Sequence, residues 1–298
     1  MNGFIFLDKA EGMTSFYAVR KLRNIIGEKK AGHAGTLDPM ATGVLPVAFG
    51  SATRFIELFP THDKAYEAEI KLGMTTDTLD ITGKVQSEKE SFVKEEELLS
   101  VLSSFRGKIK QVPPMYSAIQ KDGKRLYELA RQGIEIEREE RDVEIYSLEL
   151  LSFNEKAQTF SISVECSAGT YIRSLSSDIG EKLGCGAVMT KLRRTKALGF
   201  SLSNAVTLPE LEEKVKSGNL SDVIFKVEDV ISYEKLVVST AQAKRFRNGG
   251  ELETARLNQN TEKDTLYRIF SQTGEFVGIG NTDEDNRNLL VKRVFLNT

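Results

Sequence analysis

The sequence predicts an α+β fold, with a large domain on a mixed or antiparallel sheet over residues 1–230 and a small, β-rich, barrel-like domain over residues 231–298. Three observations carry that expectation. Stretches that alternate apolar and polar residues arrive as hairpins with helical stretches between them, a pattern that favours α+β over a doubly wound parallel sheet. The composition shifts at Lys216-Ser217-Gly218-Asn219. From about Tyr233 the apolar pieces become short and are divided by Gly and Asn turns, as in small barrels.

Taken in order, Gly3 to Leu7 reads as a short strand. Thr14 or Ser15 caps a helix whose apolar positions Phe16, Val19, Leu22 and Ile25-Ile26 recur at helical spacing and end near Gly27. Val44 to Phe49 is a short buried strand, and Tyr66 to Leu72 alternates as a half-buried strand does. Val93 to Phe105 is an amphipathic helix, and Leu126 to Arg131 a short one stopped at Gly133. Val143 to Leu151 and Thr159 to Cys166 flank the Asn154-Glu155-Lys156 turn as a hairpin. Tyr171 to Leu183 is a helix closed by Gly184. In the tail, Leu236 to Val238, Tyr267 to Phe270, Phe276 to Ile279 and Leu289 to Phe295 are the strand candidates.

A domain of this size buries about 70% of its unfolded surface without disulfides or metals. The two cysteines, Cys166 and Cys185, match neither a disulfide framework nor a CxxC site, and read as small core residues of a protein from a reducing compartment. Asp8 and Lys9 break the N-terminal apolar run too early for a signal peptide, and no stretch has the length of a membrane span. A soluble, cytoplasmic protein is expected. The formal net charge of -2 argues weakly against a nucleic-acid partner, but its distribution argues the other way. Seven basic residues (Arg106, Lys108, Lys110, Lys121, Lys124, Arg125, Arg131) stand against Asp122 and Glu128 in one stretch, and Lys191 to Lys196 carries no acid. A charge run is most often a solvated face, yet such segregation gives a nearly neutral protein one positive side.

The chain is organised around Lys29 to Pro46, KKAGHAGTLDPMATGVLP, which sets the carboxylate of Asp38 in a loop of small residues between a helix and a strand. The residue before a proline is pushed out of the α region, so Asp38 should be extended, and Gly32, Gly35 and Gly43 leave room for another molecule's backbone. That combination presents a carboxylate to a ligand. Taken alone, Asp-Pro ahead of Met-Ala-Thr also describes an ordinary helix N-cap or turn.

The longer string GHAGTLDPMATGVLPVAFGSATRF resembles the catalytic loop of TruB-type tRNA pseudouridine synthases, and later stretches resemble the same family in the same order. They are KAYEA around Tyr66, GMTTDTLDITG over 73–83, PPMYSAI over 113–119, CSAGTYIR ending at Arg173, and KLRR around Leu192. The resemblance implies an enzyme that detaches uracil from its ribose, turns it and rejoins it through carbon, at position 55 of the tRNA T loop. It implies Asp38 as the catalytic aspartate, Arg173 as the arginine paired with it, and Tyr66 as the active-site tyrosine against the uracil. Leu192 would pack beside the base, and His33 would stack within the opened T loop. The basic neighbours Arg193 and Arg194 would touch phosphates, and Lys121, Lys124 and Arg125 would contact RNA from a basic arm.

No electrons leave in such a reaction and no group is imported, so neither metal nor cofactor is expected. The sequence holds no P-loop, no complete GxGxxG and no His/Cys ligand spacing, and Asp77 with Asp80 lacks the alternating ligands of a calcium loop. In the tail, KRFRNG, GEFVGIG and VKRV look like a PUA-type RNA-binding domain. The implied partner is the tRNA T arm, with no membrane and no obligatory protein partner, the chain acting as a monomer.

Plainer readings of the same residues stay open. Arg173 in the first turn of a helix reads as surface, Tyr66 and Leu192 as core, and His33 as a turn histidine bonded to backbone. A non-catalytic RNA chaperone and a related synthase acting on another RNA are the alternative functions. GHAG after two lysines also fits a KH-type GXXG loop, which requires a helix where Val44 to Phe49 reads as a strand.

Overall fold

In the computed structural model, which describes residues 1–121 and 123–296, the chain folds on two large sheets. Asp122, counted above among the acids of the basic arm, lies outside the described residues. The first sheet runs in the order Ala205–Val206, Gly3–Lys9, Thr42–Phe49, Ala187–Ala197, Lys64–Leu72, Thr159–Cys166, Arg141–Asn154, Gly107–Gln111. Ala31–His33 joins beside Thr42–Phe49, and Phe200–Ser201 beside Ala187–Ala197. Pairing is parallel between Gly3–Lys9 and Ala205–Val206 and between Ala187–Ala197 and Thr42–Phe49, and the strands 64–72, 159–166, 141–154 and 107–111 follow one another antiparallel. The sheet is mixed, within an α+β architecture, as the sequence predicts.

The unbroken apolar runs of Gly3–Lys9 and Thr42–Phe49 follow from burial on both faces. Ile5, Leu7, Leu45 and Val47 pack with Ala18, Val19, Leu22 and Ile26 of the helix Ser15–Ile26 and with Leu175 and Ile179 of the helix Ile172–Lys182. Phe4, Phe6, Val44 and Ala48 face the other way. Thr14 caps the first helix by accepting from the Tyr17 N–H, and Gly27 closes it in the left-handed region at φ 70°. Phe16, expected on the buried face, is exposed instead. The packed stripe is Ser15, Ala18, Val19, Leu22 and Ile26, and Phe16 lies about 100° around the helix from its centre.

The strand Ala187–Ala197 is absent from the sequence expectation, although it lies centrally in the sheet. Its register sets Leu192 opposite Ala68 and Arg194 opposite Tyr66, so buried Leu192 and Arg194 alternate with the more exposed Lys191 and Arg193. A buried arginine interrupts the apolar alternation by which a strand is recognised.

The second sheet is a curled half-barrel in the order Glu234–Val238, Leu266–Ser271, Phe276–Thr282, Asn288–Val294, Leu252–Glu253. KRFRNG, read only as a motif, turns out to form the end of the helix Thr240–Arg247. Leu236, Phe246, Tyr267, Ile269, Val277 and Leu289 form a core of its own. Phe270, Phe276 and Ile279 instead close the far face of the first sheet against Phe4, Phe6, Phe55 and Phe59, with the Phe55 and Phe276 rings 6.1 Å apart. Cys166 is buried, Cys185 half-buried, and both are free thiols. Among the described residues no helix is long and apolar enough to cross a membrane.

Candidate active site

Asp38 is held between fixed points. The Leu37 N–H donates to Ser15 Oγ at 2.8 Å, and that hydroxyl donates back to the Leu37 carbonyl at 3.0 Å. The Gly12 N–H donates to the Pro39 carbonyl at 2.8 Å and the Ala41 N–H to the Asp38 carbonyl at 3.1 Å. Further along the loop, Gly43 has φ +102°, and a Cβ there would stand 2.2 Å from the Arg194 carbonyl oxygen. Only glycine fits that approach.

Lys9 anchors the same loop from below. Wholly buried, its Nζ donates to the carbonyls of Ala10 at 2.9 Å, Met13 at 2.8 Å and Pro39 at 3.3 Å, while burial holds its pKa down to about 8. Lys9→Met keeps the volume but leaves those carbonyls without their donor, at about 1–3 kcal/mol for each one left unsatisfied. Three stranded carbonyls outweigh the desolvation that methionine relieves, so circular dichroism is expected to show a lower melting temperature.

The Arg173 guanidinium grips Asp38 in a fork. Nε stands 3.0 Å from Oδ2, and Nη2 donates to Oδ1 at 3.4 Å. Its remaining donors go to the Tyr116 carbonyl at 2.8 Å and the Thr78 carbonyl at 3.0 Å, and Asp80 Oδ2 lies 3.9 Å from Nη1. An arginine in the first turn of a helix sits at the positive end of the macrodipole, so two carboxylates and two carbonyls are what make this position tolerable when buried. The helix start is itself stitched down: Gln111 Oε1 accepts from the Tyr171 N–H at 2.7 Å, and Ser174 Oγ donates to the Val112 carbonyl at 2.8 Å.

Burial pushes the Asp38 pKa above its ordinary value, against the pull of Arg173, while Asp80 pushes it further up and Lys9 holds it back. About a third of the carboxylate side chain, 34%, still reaches solvent, whereas Arg173 shows 6%. A ligand can therefore reach the acid and not its clamp. Asp80, Lys9 and Tyr116 are the members of this cluster that sequence reasoning does not place in it. Sequence reasoning considers Asp80 only as a metal ligand, and no group of metal-ligating side chains is found among the described residues.

Tyr66 comes to this loop through Arg194. Burial drives the Tyr66 hydroxyl up to about 12, and the Arg194 guanidinium beside it is the largest influence in the other direction. Arg194 is wholly buried and donates to the carbonyls of Val44 at 2.7 Å and Gly35 at 2.9 Å. The expectation that Arg194 touches a phosphate therefore gives way, since its donors are spent on the loop that carries Asp38. Lys64 and His33 flank it, both with pKa values lowered by burial first and by Arg194 second. His33 is half-buried on Ala31–His33 with Nδ1 unpartnered, not bonded to backbone as a turn histidine would be.

Leu192 is buried on the face it shares with Tyr66 and Ala68. Arg193 is held by Asp8 in a two-pronged pair, 3.2 Å and 2.7 Å, with 39% of its side chain exposed. Lys121, Lys124 and Arg125 stand apart, on an exposed two-stranded hairpin, with Lys121 Nζ donating to the Glu137 carbonyl at 2.9 Å. No hydrogen bond or ion pair joins them to Asp38 among the described residues; their link to the site is the chain itself, through the Tyr116 carbonyl on Arg173.

Known proteins resemble nearly the whole chain. Residues 23–172 match the N-terminal domain of the TruB family pseudouridylate synthases, residues 173–232 the tRNA pseudouridylate synthase B C-terminal domain, and residues 235–295 the C-terminal region of pseudouridine synthase II TruB. The tRNA pseudouridine synthase B of Clostridium kluyveri is 41% identical over 281 residues, 94% of this chain and 95% of that one. The protein of the same name from Azoarcus sp. is 46% identical over 282 residues, 94% and 91% of the two chains. Among solved structures, a chain of a Cbf5-Nop10-Gar1 complex superposes with a TM-score of 0.76 at 27% identity, covering 99% of this chain and 85% of its own. A chain of an H/ACA RNP bound to a substrate RNA containing 2'-deoxyuridine gives 0.74 at 26% identity, with 99% and 85% covered. With a clamped aspartate on a loop of the expected sequence, in a mixed sheet shared with pseudouridine synthases, the chain belongs to the TruB family of pseudouridylate synthases.

Proposed function

We propose that the protein converts uridine 55 in the T loop of tRNA to pseudouridine, with Asp38 as the group that acts on the ribose. The observation that supports this most is the Asp38 carboxylate, open to a ligand on one side and forked by Arg173 on the other. The isomerisation breaks the bond between N1 and C1' and makes one between C5 and C1'. The C5 proton leaves and N1 takes one up, so the atoms balance without a co-reactant. Attack on C1' and removal of the C2' proton both start from an ionised carboxylate beside the sugar. Tyr66 supplies a face for the extruded base and, once its own proton has left, a phenolate oxygen to take the C5 proton, and Leu192 completes the apolar wall. His33, with its pKa lowered, presents an uncharged ring for stacking among the loop's bases.

Residues 231–298 are proposed as a PUA-like RNA-binding unit and residues 1–230 as the catalytic one. The exposed Lys121, Lys124 and Arg125 would meet phosphates of the T arm, as would the free edge of Arg193. A single chain would act in the cytoplasm without an obligatory protein partner, although the solved chain it superposes on comes from a Cbf5-Nop10-Gar1 complex. Size-exclusion chromatography should find the tritium-releasing activity at the monomer position.

The test is tritium release from T-arm RNA labelled at uridine C5. Release at one equivalent per RNA, with pseudouridine at position 55 by nuclease mapping, is the expected result. Label retained over hours, with RNA bound, would end the proposal. Binding should also weaken with salt, with a log-log slope of about -0.7 to -0.9 for each phosphate neutralised, and a flat response would contradict an RNA substrate.

A further inference from the structure

The helix Ser15–Ile26 is bonded at its start to the residues on either side of Asp38, Ser15 to Leu37 directly, and Gly12, just ahead of it, to Pro39. The side chains that follow leave the protein. Phe16 is 74% exposed and Tyr17 36%, although Ala18, Val19, Leu22 and Ile26 already fill the helix's contact with the core. Arg20 stands 5.2 Å from the Tyr17 ring centroid and Lys21 5.6 Å. The helix SFYAVRKLRNII contains three cations and no acid, in a chain whose net charge is -2.

Phe16, held out in water, and Tyr17, about a third exposed, stand next to a reactive loop and outside the buried stripe of their helix. Rings flanked by cations, and lacking any acidic neighbour on their helix, fit a polyanion with flat apolar faces. We propose that Phe16 and Tyr17 form a second RNA-binding site, a stacking platform for an unpaired base of the substrate strand next to the extruded uridine. Arg20 and Lys21 lie against the phosphates of that strand. The site rests on the proposed action on RNA, and it adds a contact surface separate from the basic hairpin at Lys121–Arg125.

The chain has no tryptophan, so Phe16→Trp places its one tryptophan on the platform, where it can be excited apart from the tyrosines. Stacking of a base quenches its emission when T-arm RNA saturates the protein, and unchanged emission overturns the platform. Phe16→Ala with Tyr17→Ala is expected to raise the Kd for T-arm RNA by about fivefold to 150-fold, the range that base–aromatic stacking spans. Phe16→Leu restores little of it, since bulk alone does not stack. Arg20→Gln with Lys21→Gln flattens the log-log salt slope by about 0.7 for each phosphate no longer neutralised. Phe92, 79% exposed on another segment, serves as the control, and Phe92→Ala leaves the Kd unchanged.

A double alanine variant that binds RNA within twofold of the parent, while the parent releases tritium, overturns the platform and leaves the catalytic proposal standing. A parent that binds RNA but releases no tritium overturns the catalytic proposal instead. Leu as effective as Phe at position 16 also overturns stacking.

Discussion

Asp38→Asn is expected to stop pseudouridine formation while RNA remains bound, with the single-turnover rate falling by at least about four orders of magnitude. The substitution keeps the shape and an acceptor for Arg173, and removes only the charge and basicity of the carboxylate. The pair it disturbs is finely balanced. At 3.0 Å, the Arg173–Asp38 attraction is about 5 kcal/mol at an effective dielectric of about 20, the same order as the several kcal/mol lost in taking each ion out of water. Burial wins by a margin, which is why the Asp38 pKa sits above the ordinary carboxylate value.

A pH dependence follows with a definite sign. The reactive species is the ionised acid, so the single-turnover rate rises with pH through the raised Asp38 pKa and then levels. Its acid limb lies above the range of an unperturbed aspartate. Arg173→Gln removes the largest influence holding that pKa down, and the limb moves to higher pH. Rapid-quench tritium release with RNA pre-bound, from about pH 5 to about pH 8.5, measures both. An acid limb unmoved in Arg173→Gln, or an active Asp38→Asn, would remove Asp38 from the chemistry.

How much of this is legible in the sequence depends on what each side chain touches. The helix Leu126–Arg131 and the hairpin of Arg141–Asn154 with Thr159–Cys166 follow from local period and turn residues, so short windows suffice to anticipate them. Asp38 and Arg173 can be paired because each lies in a recognisable string, although 135 positions separate them. Lys9 and Arg194 cannot. Their partners are backbone carbonyls of Ala10, Met13, Pro39, Gly35 and Val44, and a carbonyl has no signature in a string of residue types. A lysine ending an apolar strand reads as a boundary, and an arginine beside Arg193 reads as surface charge. Phe16 misleads in the opposite direction, because periodicity counts an apolar residue toward the core without knowing where the core lies.

Arg194→Met is expected to separate stability from catalysis. Among the described residues Arg194 has no carboxylate partner, so its positive charge is buried on carbonyl groups and the Tyr66 hydroxyl, with Lys64 and His33 as the neighbours it depresses. Methionine relieves a desolvation cost of several kcal/mol. It also strands the Val44 and Gly35 carbonyls, at about 1–3 kcal/mol each. These terms nearly cancel, so the melting temperature should move by no more than roughly 5 °C. Catalysis has no such compensation. Gly35 and Thr36 lie just ahead of Asp38 on the same loop, and a misplacement of about 1 Å at a reacting group costs on the order of 10²-fold in rate. Tyr66 loses at the same time the neighbouring charge that favours its ionised form, so the phenolate that would accept the C5 proton becomes scarcer. A single-turnover rate lower by about 10²-fold or more, on a protein that melts near the parent, is therefore the expected pair of results. Arg194→Lys keeps the charge but has one head group for carbonyls that the guanidinium reaches with two nitrogens, so it should recover part of the rate. A rate within about threefold of the parent in Arg194→Met would show that the loop holds Asp38 without help from the sheet beneath it.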